Sequence, residues 1–312
     1  MNSSDQQSAN ALSTEPILSS DLNVPIHAGG YNTGEPFTTT VPTVVIEPRR
    51  GLFDLHLTAI WEYRELLYFL VWRDLKVRYK QTLIGVGWAV LQPLITMLIL
   101  TAIFGHFAKI PSDGMPYPIF AFCALLPWNY FATALNRCIV SVVADSHVIS
   151  KIYFPRLILP LAGTVSGLVD FFISLVLFLG LMIWYEMGIT WWLLALPFFL
   201  MFALVTALAV GLWLSALNVR YRDVTYTIPF LIQVWMFASP VVYPVNLVPE
   251  KWRFLYSLNP MAGVIEGFRW ALLGKETPDF SVMAVSALVV AILLAGGVIF
   301  FRSMERTFAD IV

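Results

Sequence analysis

The chain has 312 residues, 58% hydrophobic and 12% charged, with a mean hydropathy of +0.74 and a formal net charge of −1. An ordinary soluble domain carries about 25% charged residues and sets a polar face against every buried one, so this composition excludes a soluble globular protein. The balanced charge, with its Lys and Arg clustered, also argues against nucleic acid as a partner. The composition reads as an all-α integral membrane protein.

Residues 1–48 are rich in Ser, Thr, Asn and Pro and lack apolar periodicity, which predicts a disordered polar tail. No basic region followed by an apolar one opens the chain, so an ordinary secretory signal is not expected. Residues 60–84 follow as an amphipathic helix on the cytoplasmic side of the interface. At 100° per residue Glu62, Glu65, Arg73, Lys76 and Lys80 share a stripe roughly 80° wide, whereas Arg64, Asp74 and Arg78 fall off it. Its acids come early and its cations late, which suits the helix dipole, and Trp61, Tyr63, Tyr68, Trp72 and Tyr79 suit a headgroup level.

The remainder, 85–312, reads as a transmembrane domain with six spans at about 85–107, 118–143, 157–184, 191–217, 226–243 and 281–301. The fifth is short and flanked by proline. Pro93, Pro160, Pro197 and Pro229 lie in or near helix starts, where neighbouring helices re-satisfy the backbone. With a cytoplasmic amino end, the inner side holds eleven cations from Arg64 to Arg306, and the outer side holds Lys109, Lys251, Arg253, Arg269 and Lys275. Both termini are therefore expected to be cytoplasmic. The outer loop 244–280 carries Trp252, Phe254, Tyr256, Phe268 and Trp270 and is broken at Pro249 and Asn259-Pro260. It predicts two short re-entrant or interfacial helices, half-immersed at the outer leaflet, with Glu266 and Arg269 spaced to meet on the second.

Catalytic signatures are missing. There is no phosphate loop, since Gly274-Lys275 lacks both the upstream Gly and the following Ser or Thr. The four His are scattered, no metal-ligand spacing occurs, and no metal is expected. Cys123 and Cys138 fall in one apolar segment, roughly 22 Å apart along a helix and too far for a disulfide. Asp170 is read as the only acid deep in a span. Arg137 is its expected structural partner, and Gln92, Asn136 and Gln233 complete the intramembrane polar set.

The segments WRDLKVRYKQTLIGVGWAVLQPL (72–94), PYPIFAFCALLPWNYFATAL (116–135), SKIYFPRLILPLAG (150–163), LNVRYRDV (217–224) and SPVVYPVNLVPEKWRFLYSLNPMAGVIEGFRWALLG (239–274) resemble the ABC-2 transporter permeases that export polysaccharide. These include the O-antigen, capsule and teichoic-acid exporters. The resemblance runs from about residue 60 to the end, and the polar tail departs from it. It implies a homodimer working with two copies of an ABC ATPase subunit, which carry the ATP and Mg, so that this chain binds no cofactor and is not itself an enzyme. It implies that Ser150, Lys151, Ile152, Tyr153, Phe154, Pro155 and Arg156 form the loop that docks on the ATPase. It also implies that Arg73, Lys76, Arg78 and Lys80 meet an anionic pyrophosphate headgroup at an entry gate flanked by Tyr79 and Trp88.

Sugar rings stack on aromatic faces, and Trp128, Tyr130, Phe131, Phe171, Trp235 and Phe237 are candidates for a glycan channel. The expectation is export of a lipid-linked glycan across a bacterial inner membrane. Competing readings are an ABC-2 drug or lipid exporter, an ion-gradient-coupled carrier dependent on Asp170, and a membrane-bound enzyme, which the lack of a carboxylate cluster disfavours.

Overall fold

The computed structural model describes residues 61–80, 86–149, 151, 153–188, 190–274 and 280–311, all within the compact unit Arg50–Val312. The expected polar tail, residues 81–84 of the expected first helix, and Ser150 and Ile152 lie outside the described residues. Every regular element among the described residues is helical. In chain order these are α1 (Arg64–Lys80), α2 (Val86–Leu100, continued by a π-helix Thr101–Phe107), α3 (Tyr117–Ala144), α4 (Ser146–Ile149), α5 (Ile158–Ser166) and α6 (Leu168–Trp184). A 3-10 turn (Trp191–Ala195) leads into α7 (Leu196–Arg220), followed by α8 (Val224–Ala238), α9 (Glu250–Ser257), α10 (Pro260–Leu273) and α11 (Phe280–Ile311).

Among the described residues five stretches are long and apolar enough to cross a membrane: Gly87–Phe107, Tyr117–Ala144, Ile158–Trp184, Trp191–Arg220 and Phe280–Glu305. The fifth expected span, already short in the sequence, is shorter still. Helix α8 has 15 residues, roughly 22 Å against a hydrocarbon core of about 30 Å. After Ala238 the chain leaves the helix and stays inside the protein, with Ser239, Val241 and Val242 buried. Pro197 does sit in the first turn of its helix, whereas Pro93 and Pro229 lie inside α2 and α8.

Helix α3 is the hub. Of its apolar stretch 78% is buried, against 17 to 33% for the other four. A helix that is hydrophobic all round has to be enclosed. Helix α7 reaches it through Ala203, Ala207, Gly211 and Ser215, small buried residues four apart that let two backbones approach closely. A Cβ on Gly211 would strike Cys138, and Asn218 Nδ2 donates to the Ile139 carbonyl at 3.2 Å. Helix α11 packs on the far side of α7, where Trp213 Nε1 donates to the Leu293 carbonyl at 2.9 Å and Gly296 and Gly297 make room for the indole.

The second helix of the expected outer loop is not half-immersed. From Pro260 to Leu273 nearly every residue of α10 is buried against α3, α7 and α11. Its apolar residues face protein on all sides, so it is a re-entrant core element. Local chemistry fixes both of its ends. Asn259 accepts from Met261 N at 3.1 Å as N-cap, Pro260 follows at the first helical position, and Gly274 closes the helix at φ 67°. Asn259 also ties in the end of α8: Oδ1 accepts from Trp235 Nε1 at 3.0 Å and Nδ2 donates to Ser239 Oγ at 2.9 Å. Helix α9 alone keeps an interfacial character, with Trp252, Phe254 and Leu255 exposed.

Candidate functional site

Helix α1 positions the site. Leu70, flanked by Leu66, Leu67 and Val71, packs on Phe154, Ile158, Leu159 and Ala162. Eight residues on, Arg78 and Tyr79 meet Asp170, eight residues beyond Ala162. The helix therefore runs alongside the start of the third span, and it is not held by a polar stripe alone. That packing gives the expected interfacial helix a protein-facing side as well. Arg73, on the stripe, and Asp74 and Arg78, off it, are half-buried, whereas Arg64, also off it, is exposed, as are Trp61, Tyr68, Phe69, Trp72 and Val77.

Asp170 is not alone. The thirteenth residue of Ile158–Trp184, it accepts from Arg78, from the Tyr79 hydroxyl, and from Arg137 Nη2 at 3.3 Å. The expected pair with Arg137 is present, and Arg137 Nη1 is held in turn by Ser166 Oγ at 2.5 Å. A carboxylate at that depth is stabilised only by close, multiple hydrogen bonding. Burial, followed by the hydrogen bond to Asp170, pushes the Tyr79 phenol up to about 12, so it stays protonated.

Arg78, Tyr79 and Asp170 form one wall of a cavity of about 710 Å3 between α1, α2, α3 and α6, and Arg137 holds Asp170 from behind it. Trp88, Gln92 and Pro93 line it from α2, Asn129, Tyr130, Thr133 and Asn136 from α3, and Phe171 and Ser174 from α6. Three sides thus offer amides, hydroxyls and aromatic faces, and the fourth offers guanidinium. Such a space suits a ligand with an anionic group joined to hydroxylated or apolar parts.

The other gate candidates are placed differently. Arg73 is clamped just past the end of α3, with Nη1 2.6 Å from Asp145 Oδ1 and Nη2 2.9 Å from Asp74 Oδ1. The hydrogen bond to Asp145 raises its pKa above the ordinary value against the opposing effect of burial. No local periodicity links residues 72 apart, so the Asp145 partner was not legible in the sequence. Lys76 and Lys80 are exposed.

In the expected docking loop, Lys151 and Tyr153 are exposed and Pro155 is buried. Phe154 is 4% exposed and inserted between α1 and α5, so it anchors the chain internally and is not offered to a partner's groove. Arg156 turns to α11, where its backbone N–H donates to Glu305 Oε1 at 3.3 Å, its guanidinium to the Glu305 carbonyl, and its head stacks 5.9 Å from the Phe308 ring.

Of the six channel aromatics, Tyr130 and Phe171 reach the cavity wall and pack edge to face at 6.0 Å. Trp128, Phe131 and Trp235 interlock with one another, with ring centroids 5.1 to 6.4 Å apart, and Trp128 and Phe131 are buried. They act as core in this chain. Phe237 is exposed at the end of α8. Gln92 and Asn136 line the cavity, whereas Gln233 is exposed on α8.

A bundle of membrane-length helices around a polar cavity with a guanidinium in its wall describes a multi-pass membrane protein. The chain belongs to the ABC-2 type transporter family, which matches residues 65–273. It is 31% identical over 255 residues to the O-antigen export system permease protein RfbA of Myxococcus xanthus, covering 80% of this chain and 96% of that protein. It is 26% identical over 249 residues to RfbA of Klebsiella pneumoniae, covering 80% and 95%. It is 21% identical over 248 residues to the polysialic acid transport protein KpsM of Escherichia coli, covering 75% and 91%.

Proposed function

We propose that the chain is the membrane permease of an ABC exporter that moves a lipid-pyrophosphate-linked polysaccharide out of the cytosol across a bacterial inner membrane. The observation that carries this reading is the similarity to export permeases along nearly their whole length. The cavity supports it. Arg78 suits a phosphate-bearing headgroup, and Trp88, Tyr130 and Phe171 suit stacking on sugar or prenyl surfaces.

In this reading the chain works as a homodimer with two copies of a separate ATPase, which supply ATP and Mg. Both termini are cytoplasmic, and the ATPases dock on the 150–156 loop through its exposed Lys151 and Tyr153. Movement of that loop reaches the cavity through Phe154, which wedges α1 against α5. Each negative charge moved outward is helped by about 2.3 kcal/mol per 100 mV of inside-negative potential. ATP is then needed chiefly to open the path and strip water from sugar hydroxyls.

Depleting the chain in its native cell and fractionating lipid-linked glycans by side of the membrane tests the assignment. Glycan accumulating on the cytosolic side, with surface polymer lost, is the expected result. Unchanged surface glycan without an inner pool would overturn it.

A further inference from the structure

Two guanidinium groups share one carboxylate oxygen at the cavity wall. Arg78 and Arg137 both donate to Asp170 Oδ2, and Tyr79 takes Oδ1. Their side chains are not equally enclosed: Arg78 is 34% exposed, Asp170 26% and Arg137 15%. Arg137 is also fixed from its other nitrogen by Ser166. Arg78 belongs to α1, whereas Asp170, Arg137 and Ser166 belong to the spans. Of the two cations, Arg78 is therefore the more accessible, and it stands in the last turn of its helix.

We infer that this cluster is an anion-exchange site, in which a phosphate-bearing headgroup entering the cavity takes Arg78 from Asp170 and thereby loosens the last turn of α1 from the third span, the Leu70 end staying packed. The inference rests on the export reading and names the step that couples cargo arrival to movement of α1. A pyrophosphate offers several charged oxygens where a carboxylate offers two, so it competes well for a guanidinium. Asp170 is not stranded by the exchange. Arg137 remains beside it, leaving a one-to-one pair at membrane depth in place of three ionised groups. Gln92, Asn129, Thr133 and Asn136 stand on the facing walls as neutral donors for the remaining oxygens. Asp170 is here a positioning residue that holds α1 until a stronger anion replaces it.

The test is hydrogen–deuterium exchange of residues 64–80 in the full chain, in lipid nanodiscs, with binding measured in parallel. The probes are a polyprenyl pyrophosphate, the same polyprenol without phosphate, and soluble inorganic pyrophosphate. Polyprenyl pyrophosphate is expected to speed exchange of α1 by about tenfold, and the free polyprenol to leave it unchanged. Asp170→Asn is expected to give fast α1 exchange without ligand and no further rise with it. Should that variant fail to fold, Tyr79→Phe, which removes one partner of Asp170 and keeps every charge, is expected to show a smaller rise in the same direction. Arg78→Gln should bind the lipid more weakly and lose the response.

A comparable response to soluble pyrophosphate would support the exchange and assign the site to the anion alone. Binding of the lipid pyrophosphate with unchanged α1 exchange would overturn the latch and leave the export reading standing. Absence of binding would overturn the site itself, and the depletion experiment then judges the export reading separately.

Discussion

Two of the arginine–carboxylate clusters among the described residues, one towards each end of α3, are built on different terms. At one end Arg78 and Arg137 share Asp170 beside a cavity of about 710 Å3. At the other, Arg269 is 8% exposed, bonded to Glu266 at 3.2 Å and the Val241 carbonyl at 3.4 Å, and stacked 3.9 Å over the Phe120 ring. The space beside it is about 30 Å3, the share of one water molecule. Its Nε has no hydrogen-bond partner among the described residues. One guanidinium is locked by packing and the other is poised beside open space. Burial of the whole side chain, more than the ion pair itself, separates a structural cation from one able to change partners.

The sharpest way to break this comparison is to remove each arginine. Arg269→Ala breaks the pair with Glu266 and the bond to Val241 and empties the ring contact, and should lower stability by about 3 kcal/mol. Arg78→Ala should cost about 1 kcal/mol or less because its pair is partly open to solvent. Thermal unfolding of the two variants in detergent measures the gap, and equal losses would refute the distinction.

Next comes the tightness of the packed end. A Cβ on Gly267 would overlap the Phe199 ring, so Gly267→Ala should cost about 2 kcal/mol through overpacking. Unfolding temperature reads this, and Phe199→Leu in the same chain should restore part of the loss.

A smaller effect comes from Tyr79. Its raised pKa means that the neutral phenol is the form the folded chain favours. That stability is complete below the ordinary tyrosine pKa of about 10 and is lost as pH rises through about 12. Tyr79→Phe should therefore cost about 1 kcal/mol at neutral pH. The difference between it and the wild type should stay flat at neutral pH and shrink only in strong alkali. A difference that varied near neutrality would show another group titrating there.

The smallest effect on stability belongs to the exposed Lys76 and Lys80. Replacing both with Gln should change stability by less than about 0.5 kcal/mol each. It should weaken attachment of α1 to anionic vesicles by about 1 kcal/mol per residue, as measured by vesicle partitioning of the isolated segment's fluorescence.

Much of the architecture was legible because it follows from length and period. Long apolar runs became membrane-length helices, and Glu266 with Arg269 met at their i, i+3 spacing. What misled was local resemblance. The aromatic and apolar residues of α10 look the same whether they face a headgroup layer or a protein core, and only the surrounding helices decide between them. The site was half-legible. Arg137 with Asp170 followed from depth along two spans, but Arg73 with Asp145 depends on how α1 lies in space. One signal in the sequence was available and unused: Arg78 falls off the polar stripe of α1 near its end, where a charge turned from water needs a partner inside the protein. Phe154 shows the converse. Its place in a polar loop suggested an external anchor, and the apolar face of α1 claimed it first.

The two cysteines have a practical consequence. Cys123 and Cys138 are both free and fully enclosed in α3, the most deeply packed helix of the fold. The natural chain is thus close to silent towards water-soluble thiol reagents. A single cysteine introduced at Tyr153 or Trp88, both exposed, would report labelling from its own position without the background being rebuilt. Whether each site is reached from one side of the membrane or the other, and whether its reactivity changes during turnover, could then be read in the otherwise native protein.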